Sequence, residues 1–155
     1  MIITIILSLL SCILEGVISN LLINMNLYFI IIVISISSLF IEKSKYLYII
    51  FIIIGIIYDC IYFNTILHTF IFPFLLFISY NMKNKRNVFY AFFNYIILNI
   101  SYIIIFYFFT MPYNNISFSY IFNIKIINII YFLLVYVIYF IISLIKRNSY
   151  NKKNI

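Results

Sequence analysis

Polar residues divide the chain into six apolar segments, which differ mainly in length. The breaks between them include the stretch 42–46 and the pair Asn64 and Thr65. A transmembrane helix needs roughly 17–25 residues, so the second, third and fourth segments would be short helices within a bundle. We therefore predict about six short transmembrane helices; the alternative is five, if residues 47–80 form one span and a re-entrant piece. The six segments cover residues 2–23, 26–41, 47–63, 66–80, 88–110 and 122–145.

The composition places the protein among integral membrane proteins. Hydrophobic residues make up 67% of the 155 positions and charged residues only 8%. A soluble domain carries about 25% charged residues, because its surface must face water. The predicted fold class is therefore an all-α integral membrane protein, and a soluble enzyme is excluded.

The basic residues are distributed asymmetrically along the chain, whose formal net charge is +7. With six spans, nine of the ten Lys and Arg residues fall on one side, the side predicted to be cytoplasmic. Lys125 is the exception, and its long side chain can extend from a helix end to the interface. The pattern predicts cytoplasmic termini and a basic cytoplasmic tail at 146–155, and it argues against nucleic-acid binding. The nine residues are Lys43, Lys45, Lys83, Lys85, Arg86, Lys146, Arg147, Lys152 and Lys153.

Two acidic residues lie inside predicted spans, Glu15 in the first and Asp59 in the third. A charged side chain at the bilayer centre costs roughly 2.5–3.5 kcal/mol on insertion scales, so such residues need a structural or functional reason. Both helices run in the same direction, which places the two acids at nearly the same depth in the outer half. Gly16 is adjacent to Glu15, and Gly55 is one helical turn before Asp59. Glycine lets helix backbones approach closely.

Other polar residues are predicted to join this cluster. His68 begins the fourth segment and could reach Asp59 or Glu15, and Asn20 lies about one turn beyond Gly16. The favoured interpretation is a polar cluster that holds helices together or docks a partner's helix. A proton- or ion-coupling site is the second interpretation and a metal or catalytic site the third. One histidine and two distant acids are a poor zinc site, so we predict no metal, cofactor or catalytic residue.

One stretch carries a family resemblance. Residues 55–67, GIIYDCIYFNTIL, are similar to the central signature of MreD, the family of rod shape-determining membrane proteins, with a Gly, an Asp four residues later and a short turn into the next helix. Residues 15–20, EGVISN, resemble the first helix of that family. The length and the six short spans also match. Tyr58, inside the first motif, is included with Asp59 among the candidate site residues.

The resemblance implies a non-enzymatic scaffold of the cell-elongation machinery in the bacterial cytoplasmic membrane. Such a protein binds MreC, and through it connects MreB filaments to the peptidoglycan synthases RodA and a penicillin-binding transpeptidase. Membrane lipids would surround it, and the sequence leaves homo-oligomerisation open. The polar cluster would then stabilise the bundle or a partner interface.

The chain departs from the family at Leu67 and His68, where a Gly usually follows the turn. Either the fourth helix packs less closely at its start, or His68 has a local polar role. The alternative function is the substrate-binding membrane subunit of a vitamin transporter of the energy-coupling-factor type, which is also a bundle of about six helices. Those subunits usually dock their partner through a pattern of small residues in the first helix. This chain lacks such a pattern, since Gly16 is the only small apolar residue in its first segment.

Overall fold

The computed structural model describes residues 1–21, 28–62, 66–82, 87–110 and 126–152, with the side chains of 19–21, 107, 110 and 148–152 left out. Throughout these ranges the regular secondary structure is α-helical, which confirms the predicted all-helical fold. Each of the six apolar segments contains one helix. The helices are α1 (Ile2–Leu21), α2 (Phe29–Phe40), α3 (Lys45–Tyr62), α4 (Leu67–Asn81), α5 (Val88–Thr110) and α6 (Ile126–Lys152).

α2 is the central helix of the bundle. Eleven of its 12 residues are buried, and it contacts α1, α4, α5 and α6. A helix that is hydrophobic around its whole circumference is typical of a buried core helix. Twelve residues rise only about 18 Å, against a hydrocarbon layer of about 30 Å. A helix enclosed by its neighbours does not have to match that layer by itself.

The outer surface of the bundle is strongly apolar. Phe89 is 81% exposed and Ile126 76% exposed, and many other large hydrophobic side chains face outward. Three helical stretches, Lys45–Tyr62, Val88–Phe106 and Ile126–Arg147, are long and apolar enough to cross a membrane. The other three helices are apolar but shorter in their described parts. Both observations are compatible with a membrane protein.

α6 extends further than the sixth predicted span. The hydropathy pattern ends that span at residue 145, whereas the helix continues through Lys146 and Arg147 to Lys152. Lys and Arg are good helix formers, and cations near a helix C-terminus interact favourably with the helix dipole. The first part of the basic tail is therefore a helical extension.

Candidate functional site

Asp59 of α3 caps the N-terminus of α4. Its Oδ1 atom accepts a hydrogen bond from the backbone N–H of His68 (3.0 Å), and Oδ2 accepts from the N–H (2.9 Å) and hydroxyl (2.9 Å) of Thr69. The first N–H groups of a helix have no intrahelical partner and favour a negative charge. Ile66, the N-cap residue, makes no capping bond with its side chain. The preceding helix therefore supplies the cap.

The His68 ring links this cap to α5. Nδ1 lies 2.7 Å from Asp59 Oδ1, and Nε2 lies 2.9 Å from the hydroxyl group of Tyr102. Because the carboxylate only accepts, the hydrogen-bond network assigns a proton to Nδ1. The ring is fully buried, with the Tyr58 ring centroid 4.7 Å away. Asp59, His68 and Tyr102 thus form a continuous polar connection through three helices.

Gly55 allows α3 and α4 to approach closely at the same place. A Cβ atom on Gly55 would lie 2.6 Å from the Thr69 Cα atom and 2.7 Å from the His68 carbonyl oxygen. Both are backbone atoms, so no side-chain rotation could make room. The packing at the start of α4 is therefore close, and the expectation of looser packing there is wrong. The expectation that His68 has a local polar role is confirmed.

Glu15 of α1 performs the corresponding role for α2. Its Oε1 atom accepts a hydrogen bond from the backbone N–H of Ile30 (2.9 Å), in the first turn of α2. The N-cap residue Tyr28 makes no capping bond with its side chain. The carboxyl group also interacts with the Tyr58 hydroxyl. Its Oε2 atom is buried and has no hydrogen-bond partner among the described residues.

Gly16 makes space for a contact between α1 and α3. The Tyr62 hydroxyl donates a hydrogen bond to the carbonyl oxygen of Cys12. A Cβ atom on Gly16 would lie 2.5 Å from the Tyr62 hydroxyl oxygen. Here the obstacle is the end of a side chain, in contrast to the backbone opposite Gly55.

Six of the seven predicted site residues gather at one end of the bundle. Glu15 and Asp59 cap separate helix N-termini. Tyr58 links the two, because it directly precedes Asp59 in α3 and its hydroxyl interacts with Glu15. Asn20 belongs to the last turn of α1, but its side chain lies outside the described residues. A role for the cluster in partner binding stays a prediction. The six residues are Glu15, Gly16, Gly55, Tyr58, Asp59 and His68.

Sequence reasoning missed three members of the cluster. Thr69 could have been found, because threonine near a predicted helix start often bonds to neighbouring polar groups. Tyr62 and Tyr102 have no local signal, since tyrosine is abundant in this chain and their partners are distant in sequence. Among the described residues, no group of three His, Cys, Asp or Glu side chains is arranged to hold a metal ion.

A second buried polar cluster joins α2, α4 and α5 towards the other end of the bundle. The Asn94 side-chain amide donates to Ser79 Oγ (2.7 Å), and the Ser79 hydroxyl is hydrogen-bonded to that of Ser38. Ser35 Oγ donates to the carbonyl oxygen of Ala91 (3.2 Å). Small hydroxyl side chains let helices approach and bond across an apolar core, so this cluster fixes the central helix against two neighbours.

Tyr102→Phe is expected to lower the free energy of unfolding by about 1 kcal/mol, because it removes one buried hydrogen bond and preserves the ring. The measurement is the midpoint of SDS-induced unfolding in mixed micelles. Tyr46→Phe is the matched control, since Tyr46 is 58% exposed at the start of α3. Equal midpoints for both variants would contradict the hydrogen bond to His68.

The protein is therefore an all-helical bundle in which buried carboxylates of α1 and α3 cap the N-termini of α2 and α4. Comparisons of the chain with family models, with curated proteins and with solved structures each found no significant match.

Proposed function

We propose that the chain is a multi-pass protein of the bacterial cytoplasmic membrane and a non-enzymatic scaffold of the MreD type. The supporting observation is the joint between α3 and α4, which the residues of the MreD-like motif form. Gly55 permits the close crossing, and Asp59 caps the helix that follows. The residues of this motif therefore set the angle and the separation between α3 and α4.

The membrane location is supported by the outer surface and by the charges. The exposed side chains of the bundle are largely hydrophobic, and three helices are long and apolar enough to span a bilayer. The basic residues Lys43 and Lys146 belong to the end of the bundle opposite the carboxylate cluster, since α2 ends and α3 begins there and α6 ends there. In this proposal that end faces the cytoplasm.

The scaffold role is supported by how the carboxylates are used. Asp59 accepts at least four hydrogen bonds from His68 and Thr69. An ionised carboxylate offers about four acceptor positions, so the group is engaged in holding helices together. A protein of this kind meets MreC, and through it MreB, RodA and a penicillin-binding transpeptidase, with helix faces and loop edges.

Asp59→Leu is expected to reduce the recovery of MreC per amount of folded tagged protein several-fold, because an α4 without its cap would no longer hold the helix faces that meet MreC in place. The substitution should also lower the amount of folded protein. The measurement is affinity purification in mild detergent from the native cells, together with cell shape. Cys60→Leu is the matched control, since Cys60 is the next residue of α3 and is exposed.

The amount of recovered MreC should be divided by the amount of tagged protein that is monodisperse. This ratio distinguishes a weaker interface with MreC from a smaller amount of folded protein. Unchanged recovery together with normal cell shape in the Asp59→Leu strain would overturn the role assigned to Asp59. Absence of MreC from the unsubstituted protein's preparation would overturn the scaffold proposal itself.

One observation favours the transporter-subunit alternative. Several buried polar atoms, among them Glu15 Oε2, Ser8 Oγ and Asn99 Oδ1, have no hydrogen-bond partner in the described part of the chain. Buried polar atoms are normally paired, and a small ligand inside the bundle could pair them. Co-purification of ABC-type ATPases with a coupling membrane protein would support this alternative over the scaffold.

A further inference from the structure

A cavity of about 560 Å³ lies at the end of the bundle opposite the carboxylate cluster. It opens to the outside and is bordered by the beginning of α1, the end of α2 and residues 139–147 of α6. Its polar lining residues include Thr4, Tyr139, Ser143, Lys146 and Arg147, and Phe40 is among the apolar ones.

The charged residues of the cavity are both basic. Lys146 and Arg147 line it, and no acidic residue does so among the described residues. The end of α2 contributes carbonyl groups, which would repel an anion. The Tyr80 hydroxyl, however, donates a hydrogen bond to the carbonyl oxygen of Ile41 (3.0 Å). This hydrogen bond reduces the repulsion, and the two basic side chains make the cavity suited to an anion.

The remaining walls are suited to a molecule with an apolar part. Tyr139 donates a hydrogen bond to Thr4 Oγ1 (2.8 Å), and Ser143 donates to the carbonyl oxygen of Phe140 (2.8 Å). These hydroxyl groups offer further bonding capacity, because a hydroxyl oxygen can accept as well as donate. Leu144 lines the cavity and is 42% exposed, so apolar surface continues from the cavity to the outside of the bundle.

We propose that this cavity binds the phosphate group of an anionic membrane phospholipid, held by Lys146 and Arg147, with the adjoining acyl chain against the apolar wall. A guanidinium group matches phosphate geometry with paired N–H donors, and basic pockets between helices on the cytoplasmic side favour anionic headgroups. The inference rests on the membrane location proposed above and not on the scaffold role. A free phosphate ion would gain nothing from the apolar wall, which favours the lipid.

The test is native mass spectrometry of the full chain purified in mild detergent, with added phosphatidylglycerol or phosphatidylcholine. We expect phosphatidylglycerol to be retained preferentially. The double variant Lys146→Gln/Arg147→Gln should weaken that retention by about tenfold or more, since each basic residue near the surface contributes on the order of 1 kcal/mol. Equal retention of the two lipids by the unsubstituted chain would overturn the proposal.

Lys43→Gln/Lys45→Gln is the matched control, with the same loss of charge at the same end of the bundle. The Nζ atoms of these lysines lie over the rings of Phe77 (5.7 Å) and Tyr46 (5.6 Å), and neither lysine lines the cavity. The control should retain phosphatidylglycerol as the unsubstituted chain does. An equal loss in both double variants would show that only overall charge matters, and would overturn the site.

Two further experiments test whether the lipid binds in this cavity and whether the ligand is a lipid rather than free phosphate. Ser143→Phe fills the cavity while keeping both basic residues, and it should also reduce phosphatidylglycerol retention; full retention would overturn the cavity as the binding place. Millimolar inorganic phosphate should not displace the lipid, and displacement would instead assign a free-phosphate site. Fractionation of the cells tests the location separately, because a chain outside the membrane fraction would contradict the proposed function rather than the lipid preference alone.

Discussion

Gly55→Ala is expected to lower the free energy of unfolding by roughly 3 kcal/mol or more, the upper range for overpacking a close contact. The added Cβ atom would lie within 2.8 Å of three backbone atoms of His68 and Thr69. Relief would require α4 to move away from α3. That movement would also lengthen the hydrogen bonds between Asp59 and the first turn of α4. The measurement is the midpoint of SDS-induced unfolding in mixed micelles, with pulse proteolysis used to detect the unfolded fraction.

Gly16→Ala is the matched control for this prediction. Its added methyl group would meet the Tyr62 side chain, so a small rotation of that ring can relieve the contact. We expect a smaller loss, and we expect Tyr62→Phe to restore part of it by removing the obstructing oxygen. Equal losses for Gly55→Ala and Gly16→Ala would contradict the backbone crossing at Gly55.

Asp59→Ala is expected to cost roughly 3 kcal/mol or more, because several buried donors lose the acceptor that they share. The substitution would leave the N–H groups of His68 and Thr69 and the imidazole Nδ1–H without their acceptor. Each unpaired buried donor costs about 1–3 kcal/mol. The same unfolding measurement applies, and the loss should appear in α4 first, as faster amide exchange in its first turn.

Asp59→Asn separates the capping charge from the shape of the side chain. The amide keeps one acceptor oxygen, but its NH₂ group would face the donors of His68 or Thr69. We therefore expect the Asp59→Asn variant to be clearly less stable than the unsubstituted chain. An Asp59→Asn midpoint equal to that of the unsubstituted chain would contradict the cap. In a double-mutant cycle, His68→Leu should cost less when Asp59 is already alanine, because the two residues share a hydrogen bond.

The candidate site shows where sequence reasoning succeeds. Glu15 and Asp59 were identifiable because an acid in an apolar segment is costly and therefore needs a reason. Gly55 was identifiable because it is one of two glycines in the chain and lies one turn from an acid. These inferences depend on single residues in a local setting.

The identity of their partners could not be predicted in the same way. The predicted contact between the His68 and Asp59 side chains is confirmed. The backbone N–H groups at the starts of α2 and α4, which also bond to Glu15 and Asp59, were not predicted. Every residue has a backbone N–H, so the sequence does not mark which ones lack a partner. The bond between His68 and Tyr102 depends on how α4 and α5 cross.

The sequence by itself determined the helical class, the six segments and the polar residues that need satisfaction, because hydropathy and residue chemistry belong to each segment alone. Only the tertiary structure decided that α2 is enclosed by α1, α4, α5 and α6, and that a basic cavity forms where α1, α2 and α6 meet. The physical reason is that lipid chains are as apolar as a leucine side chain. Hydropathy therefore cannot distinguish a helix that faces lipid from one buried among its neighbours.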